Sequence, residues 1–120
     1  MARVFLDTNI FIDVIHRKPE ILASLEGHSI SISPLSVHIY CYSFKKKVPV
    51  TRLQSQIRLF EIVDLNTKIV DKSTEGPTND VEDNIQLHSA VEANCDIFLT
   101  GDKKLLKLGY FGKVKIIDHL

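Results

Sequence analysis

Apolar positions along the chain fall into short blocks whose spacing switches between alternation and the three-to-four-residue period of a helix. Residues 4–6, Val-Phe-Leu, are a β-prone run that stops at Asp7-Thr8-Asn9, after which Ile10, Phe11, Val14 and Ile15 recur at helical spacing. This predicts a strand, a sharp turn and a helix. Pro19 ends that helix, and Ile21, Leu22 and Leu25 predict a second short one closed by Gly27. Residues 29–33 alternate, with Ile30 and Ile32 inward, as a second strand should. Ser33-Pro34 fits a helix start, because proline is tolerated in a first turn, and the apolar-rich residues 35–47 carry that helix to Pro49. A further helix over 51–60, a short strand over 62–65 and a helix over 67–73 lead to the clearest loop, Glu75-Gly76-Pro77-Thr78-Asn79. From Asp80, the set Val81, Ile85, Leu87, Ala90, Val91 and Ala93 keeps helical spacing up to Asn94. Ile97-Phe98-Leu99 then predicts a fourth strand, ending at Thr100-Gly101-Asp102. Residues 103–108 predict a short helix, Gly109 and Gly112 mark turns, and residues 114–117 predict the last strand.

Strands alternating with helices imply a mostly parallel sheet with right-handed crossovers and helices on both faces, a three-layer α/β/α class. Residues 1–120 are expected to form one domain, since a chain of 120 residues can bury roughly two thirds of its unfolded surface. In such sheets ligands collect beyond the carboxyl ends of the strands, where strand order reverses.

Composition narrows this picture little. The chain is 44% hydrophobic and 25% charged, as an ordinary globular protein is, with 15 basic and 15 acidic residues. A net charge of zero excludes long-range attraction to nucleic acid, so RNA would have to be gripped by a local patch. Cys41 and Cys95, far apart and each among helix-compatible residues, read as buried free thiols rather than a disulfide or a zinc site. Neither a signal peptide nor a membrane span is visible at the N-terminus, and a reducing cytoplasm is the expected setting.

The candidate chemistry lies in carboxylates at strand ends. Asp7 follows the first predicted strand and Asp102 the fourth, and the two converge if those strands are neighbours. Asp80-Val81-Glu82-Asp83 opens the helix leading into the fourth strand, so its first turn can reach the same rim. Carboxylates pressed together raise one another's proton affinity unless a cation neutralises them. Mg2+ or Mn2+, hard ions that prefer oxygen, would do so without any cysteine or histidine ligand. An ion held this way lowers the pKa of a water and stabilises charge on a phosphoryl group.

At these residues the chain resembles the PIN-domain family. Val4-Phe5-Leu6-Asp7-Thr8-Asn9 is similar to the family's opening strand and first acidic motif, Asp80-Val81-Glu82-Asp83-Asn84-Ile85-Gln86-Leu87 to its later acidic helix, and Ile97-Phe98-Leu99-Thr100-Gly101-Asp102 to its strand ending in Thr-x-Asp. The three motifs occur in the family's order. The resemblance implies a metal-dependent ribonuclease fold, found among toxins of toxin-antitoxin pairs and among RNA-processing nucleases, with single-stranded RNA as substrate and an antitoxin as partner. It also implies that Asp7, Asp83 and Asp102 are the catalytic metal ligands, that Asp80 is an additional acid, and that Asn9 and Thr100 organise the rim. There is one departure. The family usually carries a glutamate early in the helix after the second strand, whereas Ser36-Val37-His38-Ile39-Tyr40-Cys41-Tyr42 holds no acid, the expected place being near Ile39.

Plainer readings compete at each position. Asp7 and Asp102 can each cap the helix that follows, and Asp80 with Asp83 resembles a capping arrangement. Lys45, Lys46, Lys47, Arg52, Lys103, Lys104 and Lys107 are either phosphate contacts or a solvated face. His38 and His88 read as packed or surface histidines. Tyr40, Tyr42 and Phe44 read as core, or as a face between two copies in a homodimer, before base-stacking platforms. The functional classes are thus an endoribonuclease, a non-catalytic RNA- or protein-binding module of the same fold, and, ranked low, a phosphoacceptor domain. The last usually wants paired acids after its first strand.

Overall fold

A computed structural model describes residues 1–120. Six strands, β1 (Arg3–Leu6), β2 (Ser29–Ile32), β3 (Glu61–Ile62), β4 (Ile97–Leu99), β5 (Tyr110–Phe111) and β6 (Val114–Ile117), form one sheet in the order β3-β2-β1-β4-β6-β5. All neighbours are parallel except β5 with β6. Between them lie α1 (Thr8–Ile12, continued by a π-helical turn Asp13–Arg17), α2 (Ile21–Ser24), α3 (Pro34–Ser43), α4 (Thr51–Ile57), α5 (Thr67–Ser73), α6 (Val81–Glu92) and α7 (Lys103–Leu108).

Alternation along the strands divides the interior into two cores. Val4 and Leu6 of β1 face one way, with Ile30, Ile32, Phe11, Ile15, Tyr40 and Leu53, while Phe5 faces the other, with Phe98, Leu87, Ala90 and Ile116. Phe5 and Phe98 stack across the β1–β4 seam at 5.7 Å. Strands buried on both faces need helices on both, so the expected α/β/α layering with a mostly parallel sheet is what the chain adopts.

The chain builds outward from β1 to β3, then returns across β1 to lay down β4 on the other side. Strand order therefore reverses between β1 and β4, where Leu6 pairs with Leu99. That register sets the residues following both strands side by side.

Several boundaries differ from the sequence reading. The Tyr110–Phe111 strand was expected only as turns; two residues are too few to show a period, and the hairpin is set by Gly112, whose φ of 61° suits the first central position of a two-residue turn. The third strand is Glu61–Ile62, not 62–65. The fourth helix ends at Ile57 rather than at 60, where Phe60 turns into the core against Phe11. α3 stops at Ser43, because the lysines after it offer no apolar face to bury. Its end is closed by the Lys46 N–H donating to the Cys41 carbonyl at 2.9 Å, with Lys45 left-handed at φ 52°, a conformation that costs a non-glycine residue about 1 kcal/mol.

Candidate active site

Asp7, 5% exposed, ends β1 and caps α1: its Oδ1 accepts from the Thr8 N–H at 2.8 Å. Its own N–H donates to the Leu99 carbonyl, carrying the sheet ladder one residue past the strand. The other carboxylate oxygen accepts from the Thr100 hydroxyl at 2.6 Å, and Thr100 Oγ1 in turn accepts from the Asp102 N–H at 3.0 Å. Thr100 is fully buried and links the ends of the two strands. Asp102 caps α7, its Oδ1 accepting from the Lys104 N–H at 2.8 Å.

The third segment is pinned to the first by Gln86, which the sequence reading did not single out. Its amide oxygen accepts from the Thr8 N–H at 2.9 Å, and its Nε2 donates to Thr8 Oγ1 at 2.8 Å and to Glu82 Oε2 at 3.2 Å. Thr8 Oγ1 also shares a hydrogen bond with Ser36 Oγ of α3 at 2.9 Å. Gln86, Ser36 and Thr8 are buried, so this polar knot ties α1, α3 and α6 together beneath the acids. Asn84 plays the matching part for the preceding loop: its Oδ1 accepts from the Thr78 N–H and hydroxyl, and its Nδ2 donates to the Ser73 and Thr78 carbonyls. A faint signal existed, since Asn84 and Gln86 are polar residues flanking the apolar positions Ile85 and Leu87 of an amphipathic helix.

Asp80 caps α6, its Oδ1 accepting from the Asp83 N–H at 3.1 Å, so the capping readings hold for Asp7, Asp80 and Asp102. Asp83 is half-buried, and its own carboxylate accepts no hydrogen bond within the chain. Burial first, then the charges of Asp80, Asp7, Asp102 and Glu82, push its carboxyl up to about 6. Glu82 is raised by burial and then by Asp7 and Asp80. Burial also raises Asp7, opposed by the bonds from Thr100 and Thr8, with Asp102 adding to the rise.

The structure thus brings Asp7, Asp80, Glu82, Asp83 and Asp102 into one electrostatic unit. It does not draw Asn9 in: Asn9 is exposed, and its carbonyl and side-chain oxygens accept from Arg17. Ile39, one turn beyond Ser36 on α3, is half-buried and supplies no oxygen where the resemblance leads one to look for a glutamate. His38 is exposed and stacks near Tyr42, itself 77% exposed, while His88 holds the Gly76 carbonyl at 2.8 Å. Both cysteines are free, Cys95 buried as expected but Cys41 only half-buried on α3.

None of the five acids is paired with a base, the chain's ion pairs being Arg3–Glu61, Arg17–Asp13, Lys68–Glu92 and His119–Asp118. Unopposed carboxylates, of which Asp7, Glu82 and Asp83 have their proton affinity raised first by burial and then by neighbouring acids, are the donor chemistry of a divalent cation site. No three acidic, thiol or imidazole side chains stand close enough to close a metal shell on their own. The set therefore fits an ion that takes one or two carboxylates directly and keeps water elsewhere, as Mg2+ does. Asp80 is exposed and Glu82, Asp83 and Asp102 are half-buried, while Asp7 is buried.

Comparison with known proteins fits this layout. No curated protein matches the sequence. The VapBC2 complex of Rickettsia felis bound to a promoter DNA fragment contains a chain of similar fold, with a TM-score of 0.72 at 19% identity over 96% of this chain and 97% of that one. A toxin-antitoxin complex from Klebsiella pneumoniae contains another, with a TM-score of 0.71 at 22% identity over 92% and 94%. The family model of the PIN domain matches residues 3–104, a span that takes in all five acids and the three motifs at which the resemblance was first seen, and the chain belongs to the PIN-domain family.

Proposed function

We propose that this chain is a divalent-metal-dependent endoribonuclease acting on single-stranded RNA, the toxin of a toxin-antitoxin pair. The observation that carries it is the convergence of Asp7, Asp83 and Asp102 from three segments onto the β1–β4 switch point, with no basic partner among them. One or two of Asp7, Asp83 and Asp102 would hold Mg2+ or Mn2+ directly and the rest through its waters, with Asp80 and Glu82 beside them. When bound, the ion supplies a water of lowered pKa and charge neutralisation at the phosphoryl group. The protein's own part is positional: Thr100 and the Thr8 N–H orient the Asp7 carboxylate and oppose the rise that burial imposes on it, and Gln86 holds α6 against Thr8 beside it. Similarity in fold to chains of two toxin-antitoxin complexes supports an antitoxin partner. Free thiols at both cysteines support a reducing cytoplasm.

Purified protein should cut mixed single-stranded RNAs with Mn2+ or Mg2+ and not with EDTA, and Asp7→Asn should cut about a thousandfold more slowly. No cutting with either metal would defeat the nuclease reading.

A second reading, a non-catalytic RNA- or protein-binding module, is favoured by one observation, Ile39 at the place of the family's glutamate. Ile39→Glu separates the two. If the site is active but short of a ligand, the added carboxylate raises metal affinity on the order of tenfold and speeds cleavage; a binding module gains no cleavage from it.

A further inference from the structure

At the far end of α1 from the acids lies a small concavity of about 180 Å3. It is bounded by His16 in the π-helical turn, Tyr40 of α3, Lys46 in the loop after α3, and Arg52 and Gln56 of α4. No carboxylate lines it, and neither Lys46 nor Arg52 belongs to any of the chain's ion pairs. The helix dipole does not account for Arg52, which stands in the first turn of α4, where a cation is disfavoured.

The walls are prebuilt. Tyr40 is buried, and its hydroxyl shares a hydrogen bond with His16 Nδ1 at 3.0 Å. The Lys46 ammonium lies 5.9 Å from the centroid of the Tyr40 ring. The π-helical turn ends at Arg17, which leaves the Ile15 carbonyl without a helical partner, and Gln56 Nε2 donates to it at 2.9 Å. The left-handed Lys45 is the residue that turns the chain back so that Lys46 reaches the pocket.

The size decides what fits. Small-molecule sites usually run from about 300 Å3 upward, so this one suits a single small anionic group rather than a whole nucleoside. We infer that the pocket binds a phosphate group, with Lys46 and Arg52 supplying the countercharge. That the phosphate belongs to RNA rests on the nuclease reading. Two features favour that source. The chain has no net charge and its acidic rim repels phosphates, so a strand must be gripped away from the rim. From Thr8 to His16, α1 covers roughly 12 Å, a reach of a few nucleotides along one strand.

The test uses the full chain carrying Asp7→Asn, with Mg2+ present, so that RNA stays intact. Lys46→Gln with Arg52→Gln is compared with Lys113→Gln and Lys115→Gln, which remove the same charge from the exposed hairpin at the other edge of the sheet. The first pair should weaken single-stranded RNA about tenfold and reduce the slope of log affinity against log salt by about 0.7, one phosphate contact. The second should leave both nearly unchanged. Inorganic phosphate, followed through the NMR signals of Tyr40 and His16, supplies the other arm. If the first pair abolishes that perturbation but leaves RNA affinity intact, the site stands and its ligand is free phosphate. If neither RNA nor phosphate responds more to the first pair than to the second, the inference is overturned. Protein that binds RNA through this pocket yet cuts none with any metal would defeat the nuclease reading and leave the pocket in place.

Discussion

The two halves of the acidic rim are held in opposite ways. On the β1–β4 seam, Asp7 is buried, both its oxygens accept hydrogen bonds, and its position follows from sheet register. At the start of α6, Asp83 is half-exposed, accepts nothing, and faces other carboxylates. One half is fixed by the fold whether or not an ion is present. The other is destabilised by its own charge and gains most from a cation, so ion binding should be felt chiefly as ordering and stabilisation of the α6 end.

Three changes would break or sharpen this contrast, beyond the rate loss expected of Asp7→Asn. Gln86→Ala removes the link between the halves, and loss of its buried hydrogen bonds together with the cavity left behind should lower stability by about 2–3 kcal/mol, measured by urea denaturation. Cleavage should fall as well, while Asp7 stays bonded to Thr100. An unchanged denaturation midpoint would show that the halves are positioned independently.

Thr100→Val acts on the fixed half alone. The hydroxyl lowers the Asp7 pKa, so its loss should raise that pKa further and move the acidic limb of the cleavage pH profile upward, with a stability loss of about 1–2 kcal/mol. A profile that does not move would mean that Asp7 ionisation does not limit the reaction.

Asp83→Asn acts on the loose half and should have the opposite sign. The Asp83 carboxyl is raised from 3.8 to about 6 in the folded state, so the folded protein binds more protons between those values. Its contribution is therefore most favourable at low pH and declines as pH rises through roughly 4 to 6. Near pH 7.5 the substitution should stabilise the metal-free protein by about 1 kcal/mol after allowance for solvent screening, and near pH 3.5 it should do almost nothing. Saturating Mg2+ should raise the melting temperature of the native sequence and leave that of Asp83→Asn nearly unmoved. Equal responses to Mg2+ would remove Asp83 from the ion site.

Strand and helix placement was largely legible because burial on one face imprints a period on any element long enough to repeat it. The Tyr110–Phe111 strand escaped for want of length, and the end of α3 because a lysine run can continue a helix or leave it with equal local ease. Within the site, Asp7 and Asp102 announced themselves by standing after apolar strands, and Asp80, Glu82 and Asp83 by opening a helix. Gln86, Ser36 and Thr8 did not, because a buried polar residue looks like any surface one until its partners, 28 and 78 residues away, are brought to it.

The sequence alone determined the alternation of elements, the parallel layered class and the family motifs, since these depend on local period and short-range order. It also placed an aspartate after each of two strands. Only the tertiary structure decided that those strands are neighbours in register, that Gln86 locks α6 to Thr8 beside Asp7, and that the acids share one electric field with no base to neutralise it. The physical reason is range: propensity and amphipathicity act over a few residues, whereas charge repulsion, burial and hydrogen bonds across the sheet depend on distances that exist only once the chain has folded.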